Sequence, residues 1–261
     1  MINNYFDFCE NIWDGWLNNQ DVLEQVFEEL FKLKYCPEPY LRFIKANSKD
    51  SDLVYFLTTN PGAGDDKIQT REIFSKEDSI IKSDEPYHNN ARKLADYYKK
   101  NLKGTAKRRV NHMEYLAKKC GYDNFIQIQS IPYHSGELKH KDDLTELIKG
   151  SNNSISEYIN ITKKYLADKN VIAIQGGNGL NIGELNAWRK LQCEIIGLDI
   201  DKSEYITIVT NEKNEDSVSM YIQKENDTIK AICLRAGSND LPGPAGCDII
   251  ANKFNQLKGA I

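Results

Sequence analysis

Three short segments concentrate the side chains able to do chemistry: Asn60-Pro61-Gly62, Pro132-Tyr133-His134-Ser135 and Gly237-Ser238-Asn239. Together they offer amides, an imidazole, a phenol and hydroxyls, groups that orient water and donate to a polar ligand. Pro61 fixes its own φ and pushes Asn60 out of the helical region, so the amide stands on a stiffened backbone. Gly62 lets the backbone approach a ligand closely. Asp65 and Asp66 follow; a carboxylate placed over a water acts as a general base, whereas one left on a loop caps a helix or is simply solvated.

Two further patterns carry weight. Lys99, Lys100, Lys103, Lys107, Arg108 and Arg109 form a basic run with no acid inside it. In an acidic chain this is either a footprint for nucleic-acid phosphates or a solvated helix face. Residues 177–183 read Gly-Asn-Gly-Leu-Asn-Ile-Gly after an apolar run, with Asp199 about 20 residues on, which is one residue too long for the dinucleotide-binding glycine pattern. Neither a phosphate-loop motif nor a Gly-x-Ser-x-Gly nucleophile elbow occurs.

The elements that must position these groups follow from periodicity. Apolar residues at helical spacing predict helices over 4–18, 20–33, 88–101, 107–120, 141–149, 153–167 and up to about 257. Residues 53–57, 125–131 and 171–174 read as strands buried on both faces, 193–200 as a fourth, and 205–234 as a three-stranded meander. The polar stretch 65–87 reads as a long loop with one short helix. Residues 37–40 read as an irregular approach to the first strand. Strands alternating with helices predict an α/β sandwich with a central, largely parallel sheet. Ligands bind such sheets beyond the strands' carboxyl ends. If the strands are parallel neighbours, all three loops meet there.

The 261 residues suit a single domain, with 1–36 as an N-terminal helical segment and 203–235 as the meander extension. A net charge of −4 argues against a wholly basic binding surface. No apolar run approaches the roughly 20 residues that span a bilayer, so no membrane association is expected. The N-terminus shows no signal peptide, and six scattered cysteines without a C-x-x-C pair read as reduced thiols of a cytoplasmic protein. Four histidines without paired-ligand spacing give no metal site.

Pro37-Glu38-Pro39-Tyr40, a strand, Asn60-Pro61-Gly62 and the later Pro-Tyr-His-Ser loop together resemble the uracil-DNA glycosylase superfamily. The likeness is to those uracil-DNA-glycosylase-like proteins that pair an Asn-Pro-Gly loop with a Pro-Tyr-His-Ser loop, and it spans roughly 37–240. It implies a three-layer α/β/α fold, DNA as partner, no cofactor, and hydrolysis of the N-glycosidic bond of a flipped uracil or modified pyrimidine. On that resemblance Asn60 positions the attacking water, Pro61 and Gly62 match the turn approaching DNA, with Thr59 before them among the expected substrate contacts, and Gln129 takes the base-reading position, three residues before Pro132. His134 with Asp65 joins the catalytic set, while Tyr133, Ser135, Ser238 and Asn239 complete the substrate contacts. Lys103, Lys107, Arg108 and Arg109 face the DNA backbone.

The chain departs from the family in two loops. Thr58-Thr59 stands before Asn60 where the mismatch-specific and single-strand-selective branches have Gly. The last loop, Arg235-Ala236-Gly237-Ser238-Asn239, has no His where the family stabilises the departing base, so either Asn239, Arg235 or His134 takes that part or the reaction differs. The alternatives are a non-catalytic binder of nucleic acid or nucleotide on the same fold and a dinucleotide-dependent enzyme using the loop at 177–183.

Overall fold

The structure is a computed structural model that describes residues 4–18, 31–45, 53–59, 61, 66–74, 76, 79–134, 154–177, 187–209, 217–236 and 241–259. Among the described residues seven strands form one sheet: β1 (Tyr40–Phe43), β2 (Leu53–Thr58), β3 (Asn124–Gln129), β4 (Val171–Gly177), β5 (Glu204–Val209), β6 (Ser217–Glu225) and β7 (Thr228–Ala236), in the order β1-β3-β2-β4-β7-β6-β5. The four central strands, β3, β2, β4 and β7, run parallel; β1 on one edge and β6 and β5 on the other are antiparallel.

Both faces are covered. Against one pack α1 (Tyr5–Leu17), α3 (Tyr87–Asn101), α5 (Ser154–Leu166) and α6 (Ala187–Ile196), meeting Leu53, Tyr55 and Leu57 of β2. Against the other pack α4 (Gly104–Lys119) and α7 (Pro244–Lys258), meeting Val54 and Phe56. A short helix, α2 (Arg71–Phe74), lies in the 65–87 stretch. With both faces of β2 buried, its sequence is a continuous apolar run rather than an alternating one.

Local chemistry sets the helix ends. Asn4 caps α1 by accepting from the Phe6 amide at 3.1 Å. The Glu10 carboxylate of α1 accepts from the Tyr87 amide at 2.8 and 2.9 Å, placing negative charge on the first turn of α3. Pro244 opens α7, and Gly259, at φ 76°, closes it.

Three expectations are corrected. Residues 193–196 are the end of α6, not a strand. The buried pairs Leu191/Ile195 and Gln192/Ile196 follow the four-residue helical repeat, and Leu198 N bonds Cys193 O at 2.9 Å around Gly197 at φ 75°. A short apolar run does not separate helix from strand by itself. Residues 40–43 form the edge strand β1, paired through Tyr40 with Ile128. The last strand of the meander, β7, pairs parallel with β4 and belongs to the central sheet. The helices expected over 141–149 and most of 20–33 lie outside the described residues. All six cysteines are buried and free of disulfides. Among the described residues no helix is long and apolar enough to cross a membrane, and no group of three His, Cys, Asp or Glu could hold a metal ion.

Candidate functional site

Chain order reverses at β2, with β3 on one side and β4 on the other. In open α/β sheets the carboxyl ends at such a switch point are where ligands bind. A cleft of about 580 Å³ opens here, lined by Pro61 just after β2, by Gln127 and Gln129 of β3 and by His134 beyond it. The start of α4 roofs it through Ala106, Arg109 and Val110, and Tyr97 and Tyr98 of α3 form a side. The volume lies within the range of small-molecule sites.

The cleft begins where one sheet face changes from apolar to polar. Along β2 the face toward α4 runs Val54, Phe56, Thr58, and the residues in register on β3 are Phe125, Gln127 and Gln129. Phe56 and Phe125 meet edge-on at 5.4 Å. One step further, the Thr58 hydroxyl donates to Gln129 Oε1 at 2.5 Å and accepts from Gln127 Nε2 at 3.2 Å. Ile128 O lies 3.4 Å from the same hydroxyl as a second acceptor, and in the arrangement with the shorter bond to Gln129 Oε1, Gln127 has Oε1 and Gln129 has Nε2 for other partners.

Backbone bonds tie the neighbouring loops into the same frame. Thr58 O accepts from Ser130 N at 2.7 Å and from Ser130 Oγ at 2.9 Å, and Thr59 O accepts from Ile131 N at 3.0 Å. Glu38 N donates to Pro132 O at 2.7 Å, and Gln129 N to Pro39 O at 3.0 Å, so the Pro37-Glu38-Pro39 segment lies along the end of β3. Tyr158 of α5 sits behind that junction, its hydroxyl 2.8 Å from Gln129 O and 3.0 Å from Pro39 O.

At this junction Glu38 is buried in the cleft wall, 2% exposed. Its Oε1 accepts from Gln69 Nε2 and, at 2.5 Å, from the Tyr98 hydroxyl. His134 Nε2 lies 3.7 Å from the same oxygen and 3.3 Å from Gln69 Nε2. Burial pushes the Glu38 carboxyl up to about 7, against the opposing pull of the Tyr98 and Gln69 hydrogen bonds. A buried carboxyl that titrates near neutral pH is the kind of group that can move a proton in a reaction.

The structure brings together Pro61, Gln129, His134 and Arg109 of the residues singled out from the sequence. Tyr133 is not in the cleft lining; it is buried with its ring 5.8 Å from Phe31. Thr59 is buried, with its backbone in the loop frame. Lys103, Lys107 and Arg108 are exposed at the start of α4 and are not in the cleft lining, to which that helix gives Ala106, Arg109 and Val110. Lys99, by contrast, pairs with Glu114 at 3.0 Å. Asp66 is exposed on the cleft rim, and the hydrogen bond from Lys34 at 2.8 Å holds its carboxyl below the usual range, which suits an ion pair better than a base. Asn60, Gly62, Asp65, Ser135, Ser238 and Asn239 lie outside the described residues.

Most of the dinucleotide loop also lies outside them, but its acid does not. Asp199 is not at a strand end: its carboxylate accepts from Asp201 N at 3.1 Å and pairs with Lys202 at 2.9 Å around a 3-10 turn. It is therefore not placed as a ribose-binding acid at the carboxyl end of a strand.

No family model, curated protein or solved structure matches the chain.

Sequence reasoning missed Glu38, Gln69, Tyr98 and Gln127. A signal existed for Gln127: Phe125-Ile126-Gln127-Ile128-Gln129 puts two amides on one face of an otherwise apolar strand. Glu38 between two prolines reads as a chain break, and Tyr98 continues the apolar stripe of α3. Gln69 carries no periodic signal.

Proposed function

We propose that the chain is a DNA glycosylase-like enzyme that hydrolyses the N-glycosidic bond of a flipped uracil or modified pyrimidine. The carrying observation is that Pro61, Gln129 and His134, from two separate loops that resemble the uracil-DNA glycosylase superfamily, line one cleft roofed by Arg109 of the basic run. The reaction suits such a cleft. A base stacked in DNA reaches a pocket only when flipped out. The bond to it then breaks through a sugar cation that water captures, so oriented water and donors aimed at the leaving base supply most of what is needed.

In this reading Asn60 orients the water, Gln129 contacts the base edge through Nε2, and His134 supports the departing base in place of the His absent from the last loop. Arg109, with Lys103, Lys107 and Arg108, holds phosphates. The uracil-DNA-glycosylase-like version of the α/β/α fold belongs to the same proposal, supported by the switch-point position of the cleft.

The test is incubation of purified protein with oligonucleotides carrying single candidate bases, followed by alkaline cleavage of abasic sites. Strand breaks that disappear in Asn60→Ala are expected. Absence of breaks across uracil and a broad panel of modified pyrimidines overturns the reading, and salt-sensitive DNA binding without product would assign the chain to non-catalytic binding.

A further inference from the structure

Resting on that reading, we infer that Glu38 is the acid that protonates the departing base, and that the base is a 4-aminopyrimidine of the cytosine type rather than an imide such as uracil. The geometry carries this. Among the described residues both hydrogen bonds to the Glu38 carboxyl converge on Oε1, from Gln69 and from Tyr98. An oxygen accepting two donors is the carbonyl-like one, so a proton on this group sits on Oε2. The residue lines the same cleft as Gln129, and the next residue, Pro39, is tied to the end of β3 by the Gln129 N to Pro39 O bond.

The two base classes make opposite demands on that oxygen. Cytosine presents a ring nitrogen, N3, that accepts a proton, whereas uracil presents N3–H and needs an acceptor. Pairing with uracil therefore requires the carboxylate form, which sets a buried negative charge against a base that becomes negative as its bond breaks. Pairing with cytosine requires the neutral acid, the form that burial favours. The Thr58 relay fits the same edge: Gln129 offers an Nε2 donor to a carbonyl oxygen, and Gln127 an Oε1 acceptor to an exocyclic amine.

The step balances. The C1′–N1 bond breaks with its electron pair passing to the ring while the Glu38 Oε2 proton passes to N3, so the base leaves neutral. Water adds to C1′ and releases a proton to solvent, and the Glu38 carboxylate recovers one from solvent. Facing Glu38 are His134 from the loop after β3, Tyr98 from α3 and Gln69 before α2; Cys36 and Tyr87 lie close enough for its charge to act on them.

Binding and excision are read separately. The binding probes are strands of abasic spacers bearing one 2′-fluoroarabino cytidine or one 2′-fluoroarabino uridine, whose glycosidic bonds resist cleavage. At least tenfold tighter binding of the cytosine strand is expected at pH 6, shrinking toward pH 8.5; in E38Q, whose Nε2 stands in the Oε2 position as a permanent donor, the preference is expected to persist and to lose its pH dependence, while excision is lost. The wild-type pH series needs no variant, and a thermal melt confirms that E38Q is folded. Equal binding, no binding, or a uracil preference in the wild type overturns the inference, as does a pH dependence of the preference that survives in folded E38Q. Excision of uracil but not of cytosine-type bases leaves the glycosylase reading standing and sinks this one. A cytosine preference whose pH dependence requires Glu38, with no base ever released, does the reverse.

Discussion

The Thr58 hydroxyl links two buried amides, donating to Gln129 Oε1 at 2.5 Å and accepting from Gln127 Nε2 at 3.2 Å. One hydroxyl at the end of β2 thus ties two side chains of β3 together at the start of the cleft. Thr58→Val keeps the shape and removes the relay. A loss of about 1–3 kcal/mol is expected from chemical denaturation, because Gln127 Nε2 is left buried without its acceptor. Base discrimination should fall as well, since Gln129 is then free to turn its amide over. A T58V protein of unchanged stability would show that the relay is not what holds these amides.

Glu38 makes stability depend on pH in a defined direction. Its carboxyl is raised in the folded state from 4.5 to about 7, so between those values the folded protein holds a proton that the unfolded chain has lost. Stability is then highest below about pH 4.5 as far as this group is concerned. It falls as pH rises toward 7 and levels above it, by a total on the order of 3 kcal/mol. E38Q keeps an acceptor for Gln69 and Tyr98 and removes the ionisation. The difference in unfolding free energy between E38Q and wild type should move in favour of E38Q by up to that amount between pH 5 and pH 8, measured by urea titration at each pH. A difference that is flat with pH would mean that Glu38 does not titrate in this range.

Tyr158 reaches from α5 to the carbonyls of Gln129 and Pro39, at 2.8 and 3.0 Å, and is wholly buried. It is therefore a positioning residue, holding the Glu38 segment against the end of β3. Tyr158→Phe removes the one hydroxyl proton these carbonyls share, while Pro39 O keeps the Gln129 amide at 3.0 Å and the Tyr5 hydroxyl at 3.3 Å, and should lower stability by about 1 kcal/mol. In an excision assay it should lower kcat/KM while shifting the Glu38-dependent pH profile. Unaltered pH dependence would limit Tyr158 to packing.

Arg109 is the member of the basic run that lines the cleft. If it meets a phosphate, Arg109→Ala should weaken DNA binding across sequences and reduce the slope of log affinity against log salt by about 1. Lys119 lies at the far end of the same helix and pairs with Asp248 at 3.1 Å, so Lys119→Ala should leave the slope unchanged. Equal slopes for both variants and wild type, measured by fluorescence anisotropy, would remove Arg109 from the DNA interface.

Much of the fold was legible because it rests on local pattern. The run at 53–57 reads as a strand buried on both faces, and Phe6, Cys9, Ile12, Trp13 and Trp16 at helical spacing read as a buried helix face; β2 and the last four of these are buried, and Phe6 is half-buried. Where pattern is degenerate it misled. Residues 193–196 are apolar enough for either element, and contact with the sheet through Leu191, Ile195 and Ile196 decides for helix. The parallel placement of β7 is likewise non-local, since nothing within 228–236 says that its neighbour is β4 rather than only β6.

The candidate site divides in the same way. By itself the sequence determined that Pro61, Gln129 and His134 stand at strand ends, because proline, glycine and apolar runs mark those ends through backbone sterics and burial. Only the tertiary structure decided which polar groups meet there. Glu38, Gln69 and Tyr98 come from three segments with no common periodicity, and their convergence is set by the pairing of β1 with β3 and the packing of α3 against β1. The proton-holding character of Glu38 follows from that enclosure, since removal of water from around a carboxyl is a property of the assembled fold and not of the residue.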